Sequence, residues 1–139
     1  MNHVRKVLES SPHKPAGLEI ILQAIAEISD CAVTCEACSD ACLGEENVKR
    51  LSKCIRLLMD CSGACRNTAA TLARPGNADR QFLEAQLAAC IAICDSCGAE
   101  CRMHAKWHEH CKACAEACDG CADMCRRLSS ESDSLIAAA

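Results

Sequence analysis

Aromatic residues are nearly missing from this chain. Phe82 and Trp107 stand alone, and there is no tyrosine. Aromatics ordinarily supply the largest buried areas of a core, so this interior has to be built from smaller side chains. Basic residues are in no surplus: 15 Lys and Arg against 19 Asp and Glu give a net charge of −4. With neither a basic stripe nor aromatic platforms, a nucleic-acid partner is not expected. Long apolar runs are lacking as well. The longest, residues 18–28, is broken by Glu19, Gln23 and Glu27, too short and too charged to cross a bilayer. The opening residues, MNHVRKVLESSPHKP, hold basic side chains but no apolar signal segment. A cytoplasmic chain with no membrane partner is therefore expected, and in that compartment thiols stay reduced. Only three prolines and six glycines punctuate the sequence, which leaves room for long helices.

What the chain has instead is cysteine, sixteen in 139 residues. Cys31, Cys35, Cys38 and Cys42 step by 4, 3, 4, and so do Cys90, Cys94, Cys97 and Cys101. Cys111, Cys114, Cys118, Cys121 and Cys125 step by 3, 4, 3, 4. Cys54, Cys61 and Cys65 fit the same rhythm with Leu58 in the place of a fourth thiol. That spacing is the period of one helix face, so the thiols are predicted to line the inside of a helical bundle.

The punctuation divides the chain into an all-α, up-down-up-down antiparallel four-helix bundle forming a single domain over 1–139. Residues 3–10 make a short amphipathic helix with Val4, Val7 and Leu8 on one face. The first long helix is expected over 15–43, from Pro15 to a stop at Gly44. The second is expected over 46–73, opening on acidic residues that suit its N-terminal dipole and broken by Pro75-Gly76. Asn77 or Asp79 caps a third over 79–103, and a fourth spans 107–129, leaving 130–139 as a frayed tail. Residues 80–128 read as a single helix would be about 73 Å long, against about 40 Å for the first two. A turn at 103–108 is therefore required, and the step of three from Cys111 to Cys114 marks a change of phase there. The halves repeat: Cys31–Cys42 and Cys90–Cys101 share one spacing, 59 residues apart. Short connections make neighbouring helices antiparallel. The thiols then gather toward the end holding the 43–47 and 103–108 turns. Leu18, Ile21, Leu22, Ile25, Leu72, Phe82, Leu83 and Leu87 close the opposite end, with the N-terminal helix over it.

One or two buried cysteines would be ordinary small hydrophobes. Sixteen on the inward faces of every long helix point to a soft metal, since thiolates select Cu(I), zinc or iron–sulfur clusters. Zinc needs four ligands, so sixteen terminal thiolates would hold about four ions, each site carrying a net charge of −2. Such charge is costly to bury unpaired, and the inward faces offer no Lys or Arg. Cu(I) bridged by thiolates at one to one leaves a neutral filling of roughly sixteen ions. The C-x₂-C-x₂-C-x₃-C-P run of iron–sulfur proteins is absent, disulfides suit the compartment poorly, and nothing singles out one thiol for catalysis. A Cu(I) store is thus expected rather than an enzyme, with a general zinc–thiolate buffer as the alternative. His104 and His108 continue the cysteine stripe, and His110 adjoins Cys111, which makes all three candidate ligands at the mouth. Met59 and Met103 could add thioethers, although methionine at helical spacing is ordinarily core filler.

The segments CAVTCEACSDAC, CIRLLMDCSGAC, CIAICDSCGAEC and HEHCKACAEACDGCADMC carry a family likeness. By them the chain resembles the bacterial copper storage proteins, specifically the cytosolic branch. The resemblance implies a four-helix bundle filled with many Cu(I) ions, homotetramers, and metal entering at the end where histidines sit. It makes Cys31 through Cys125 the storage ligands and places His104, His108 and His110 in the histidine-bearing turn. Where some relatives carry an acidic residue, this chain has Leu58.

Overall fold

A computed structural model describes residues 1–76 and 78–135. Asn77 and residues 136–139 of the expected tail lie outside the described residues. The order is α1 (Asn2–Ser10), α2 (Leu18–Leu43), a 3₁₀ turn at Val48–Leu51, α3 (Ser52–Leu72), α4 (Arg80–His104), α5 (Glu109–Ser130) and a 3₁₀ turn at Ser132–Leu135. The four long helices form a closed square in which α2 packs on α3 and α5, and α4 on the same two. Cross-helix pairs fix the directions. Cys54 meets Cys101, Cys61 meets Cys94 and Cys65 meets Cys90, so α3 rises as α4 falls. Arg102 meets Asp119 while Arg126 meets Asp95, which makes α4 and α5 antiparallel as well. Cys35 with Cys114, and Cys38 with His110, set the same sense for α2 and α5. The bundle is up-down-up-down.

The helix starts depart from the expected ones for local reasons. Helix α2 opens three residues after Pro15, with Gly17 at its cap. The acidic residues before α3 do not serve its dipole. The chain first makes a 3₁₀ turn that buries Leu51, and Glu45 turns toward the histidines instead. Asp79 caps α4 by accepting a hydrogen bond from the Phe82 N–H at 2.8 Å. The turn between α4 and α5 covers residues 105–108, where His108 adopts an extended conformation (φ −137°, ψ 111°) and restarts the helical phase.

At the end away from that turn, Leu18, Ile21, Leu22, Ile25, Leu72, Leu83 and Leu87 are buried. Phe82 is not among them: it is 53% exposed. As the third residue of α4 it lies on the outer face of the first turn, beside Thr71, Arg74 and Leu83. Leu8 of α1 takes part in this core and Val4 packs against it, whereas Val7 faces solvent. An Arg5–Glu19 ion pair at 2.6 Å tethers α1 to α2. The described part of the tail is ordered into the fold, with Leu135 buried and the Ser132 hydroxyl receiving a hydrogen bond from Arg80. Helix α4 is long and apolar enough to cross a membrane by length and composition; in the bundle it turns Leu83, Leu87 and its four cysteines inward.

Candidate metal centre

All sixteen cysteines are free thiols, and every one is buried, at 2% exposure or less. The 3.6-residue period accounts for it: each long helix turns its cysteine stripe to the axis and most of its charged residues outward. The sulfurs fall into overlapping groups whose donor atoms all lie within 4.8 Å of one another. From the apolar end upward these are Cys90/Cys121/Cys125, Cys31/Cys65/Cys94/Cys121, Cys31/Cys35/Cys61/Cys118 and Cys35/Cys97/Cys114/Cys118. An ion midway between two such donors lies at most about 2.4 Å from each, close to the ~2.3 Å of a zinc–thiolate bond. Individual contacts are tighter still, from 3.6 Å for Cys35–Cys114 to 3.9 Å for Cys61–Cys65 and Cys65–Cys90. Gly98 permits this closeness between α4 and α5. A Cβ there would lie 3.3 Å from the Cys118 Cβ and 3.2 Å from the Asp119 carboxylate.

A group at the mouth is mixed: Cys38, Cys42, Cys111 and His110. His110 Nδ1 is 3.3 Å from Cys38 Sγ, 3.6 Å from Cys111 Sγ and 4.0 Å from Cys42 Sγ. Its other nitrogen is buried without a hydrogen bond among the described residues, with Glu45 Oε1 at 3.8 Å. The His108 ring stacks on it, centroids 5.2 Å apart, and His108 Nδ1 pairs with Glu45 Oε2 at 2.9 Å. His104 Nε2 pairs with Glu100 Oε2 at 2.9 Å, and Lys53 reaches the other Glu100 oxygen at 3.7 Å. His104 and His108 thus stand above the thiols on carboxylate partners, while His110 faces the thiols directly. Met59 and Met103 are 50% and 67% exposed and point away from the thiol core.

Residues 19–130 match the family described as copper storage protein. The chain belongs to the copper storage protein family. Among solved structures it is similar to the copper storage protein Ccsp of Streptomyces lividans loaded with 10 copper equivalents. Identity is 43% over 91% of this chain and 98% of that one, with a TM-score of 0.87. A structure of a cytosolic copper storage protein from the same organism with five coppers matches at 46% identity and a TM-score of 0.79, over 81% of this chain and 93% of that one. An uncharacterized cysteine-rich protein of Bacillus subtilis (strain 168), YhjQ, is 39% identical over 86 residues, 62% of this chain and 74% of its own length.

Leu58 interrupts the thiol stripe of α3. It is fully buried in the thiol register of α3. It falls between the Cys54–Cys101 and Cys61–Cys94 pairs, so α3 contributes a hydrocarbon where the other three helices contribute Cys35, Cys97, Cys114 and Cys118. Sequence reasoning did not find Glu45 and Glu100. Their signal is visible only in retrospect: Glu100 sits one turn before His104 on the inward side, and Glu45 directly follows the Gly44 stop.

The thiols are not equivalent. Burial, then the neighbouring sulfurs, pushes Cys42 and Cys111 up to about 12. Cys54 is raised because its S–H donates to Cys101. Cys101 is drawn down to about 5: its contact with Cys114 raises it, but the thiols of Cys38, Cys54 and Cys97 outweigh that. Cys118 is lowered by a hydrogen bond from Cys114, and Cys90 by one from Cys121. Chains of S–H···S contacts therefore make neighbouring sulfurs unequal as donors and acceptors.

Proposed function

We propose that this chain is a cytosolic store that sequesters Cu(I) in its thiol-lined core at roughly one ion per cysteine. The observation that carries the reading is the sharing of sulfurs without any buried cation. Cys31 belongs to two of the four-cysteine groups, and Cys35 and Cys118 to two as well. Terminal zinc sites cannot share ligands in this way, so of those groups only Cys31/Cys65/Cys94/Cys121 and Cys35/Cys97/Cys114/Cys118 could be filled together. Each would add a net charge of −2, and among the described residues no Lys or Arg is buried to offset it. Bridging Cu(I)–thiolate units use shared sulfurs and stay neutral.

In this reading all sixteen cysteines and His110 hold copper, while His104 and His108 guide the ion inward from the turn. Copper is cargo and no catalytic step is required. Homotetramers are the expected assembly, for which the exposed Val33, Met59 and Phe82 offer apolar surface; sedimentation equilibrium of the loaded protein reads the mass directly. Competition tests the metal. Reduced protein pre-equilibrated with excess zinc should surrender it on addition of Cu(I). Zinc that stays bound in the presence of equimolar Cu(I) per thiol would instead establish a general thiolate buffer.

A further inference from the structure

Copper has to be brought to the mouth by something, and the surface around it has a character that the core does not explain. Residues 40–56 and 100–112 carry seven Lys and Arg against five Asp and Glu, whereas the rest of the chain carries eight against fourteen. The mouth is the positive end of an acidic molecule. Two of its carboxylates are engaged, Glu45 by His108 and Glu100 by His104 and Lys53. Lys49, Arg50, Lys106 and Lys112 are exposed and enter none of the ion pairs among the described residues, leaving Asp40, Glu46 and Glu109 as the opposing exposed charges.

Within this surface lies a groove of about 420 Å³ lined by Asn47, Arg50, Met103, His104, Trp107 and His108. Trp107 and Met103 are the most exposed large apolar residues of the described chain, at 71% and 67%. The Lys106 ammonium lies 5.8 Å from the Trp107 ring. An aromatic and a thioether left in water beside an unpaired guanidinium form a surface that would bind an organic anion. His104 and His108, only 16% and 10% exposed at their side chains, stand at the inner wall.

We infer that this groove binds an anionic Cu(I) complex of a small, carboxylate-bearing thiol, with Arg50 holding a carboxylate and Trp107 and Met103 covering the organic part. The inference rests on the Cu(I)-storage reading. A small carrier is favoured over a protein because the groove, at about 420 Å³, has the concave shape and volume of a small-molecule site. Transfer is ligand exchange without redox change. Two Cu–S bonds to the carrier break, two to cysteine sulfurs form, and the two cysteine protons leave on the released carrier thiols. The complex [Cu(SR)₂]⁻ and two Cys–SH thus become [Cu(S-Cys)₂]⁻ and two RSH.

The test is stopped-flow loading of the reduced, metal-free protein with one equivalent of Cu(I), followed by Cu(I)–thiolate absorbance and Trp107 fluorescence. The carrier is glutathione in one arm and neutral 2-mercaptoethanol in the other. With glutathione the rate should fall as salt rises and drop about tenfold in Arg50→Glu, the scale of electrostatic steering. It should be unchanged in Lys14→Glu at the closed end. With 2-mercaptoethanol neither salt nor Arg50→Glu should matter. Equal behaviour of the two carriers, or a glutathione rate indifferent to Arg50→Glu, overturns the groove proposal. So does a response to Arg50→Glu that appears only with an acidic protein donor, which would make the patch a protein interface. Final loading separates the two readings: full capacity from the neutral carrier keeps the store whatever the groove does, whereas no uptake from any carrier removes the store itself.

Discussion

His110 and Leu58 show what single side chains decide in this core. His110 Nδ1 faces three sulfurs at 3.3–4.0 Å, which makes it the natural first partner for an arriving soft ion. His110→Ala is expected to weaken binding of the first Cu(I) equivalents about tenfold, the scale seen on losing a supporting metal contact, while total capacity changes by at most about one ion. A chelator competition at low loading measures it. Leu58 fills the α3 position of the thiol register with hydrocarbon. Leu58→Cys should raise saturation by about one Cu(I) per chain with an unchanged helical circular dichroism spectrum. Leu58→Ala opens a cavity instead and is expected to cost about 2–5 kcal/mol of metal-free stability in urea unfolding. Unaltered capacity in the cysteine variant would mean that the position lies off the metal path.

At the scale of elements, the alternating steps of three and four made the helices and their inward faces legible before any coordinates, because only one period brings four such cysteines to one side. The turn at 105–108 was legible for a different reason: an unbroken helix there would outrun its partners. Less legible was everything that depends on where a helix begins. His104 and His108 continue the stripe on paper, but α4 ends at His104 and the extended His108 resets the phase, which leaves His110 against the thiols. Phe82 read as core because it is aromatic, yet its position in the first turn of α4 exposes it. The pairing of Glu45 and Glu100 with histidines depends on loop geometry that no periodicity encodes. The Asp79 cap is a prediction in its own right. Asp79→Ala removes the acceptor of the Phe82 N–H and should lower stability by about 1 kcal/mol, read as a shift in thermal midpoint with capacity unchanged.

For the whole molecule, the apolar end explains how a core of thiols can exist before metal arrives. The leucines and isoleucines of α1, α2, α3, α4 and the tail hold the helices together at one end, so the metal-free protein should already be helical. Its stability should depend on pH in a defined direction. Cys42 and Cys111 keep their protons to about pH 12, while an unfolded thiol loses its proton near pH 8.5. Between these values the unfolded state binds fewer protons, so stability is fully present below about pH 8.5 and declines as pH rises toward 12. Thiols whose values are lowered, such as Cys101, add an opposing rise only between about pH 5 and pH 8.5, where the unfolded thiol still holds its proton, and almost none above it. Urea midpoints of reduced, metal-free protein at pH 8 and pH 10.5 should therefore differ, with the alkaline sample weaker, and copper loading should abolish the difference by replacing the protons.

Sharing of sulfurs between neighbouring groups sets how many ions the core can hold. Reduced protein is titrated with Cu(I) in the presence of a chromophoric Cu(I) chelator, and bound copper is counted per chain. Shared, bridging thiolates predict a single saturation at roughly sixteen ions. Saturation at about four or fewer would mean terminal four-thiolate sites with no shared sulfurs.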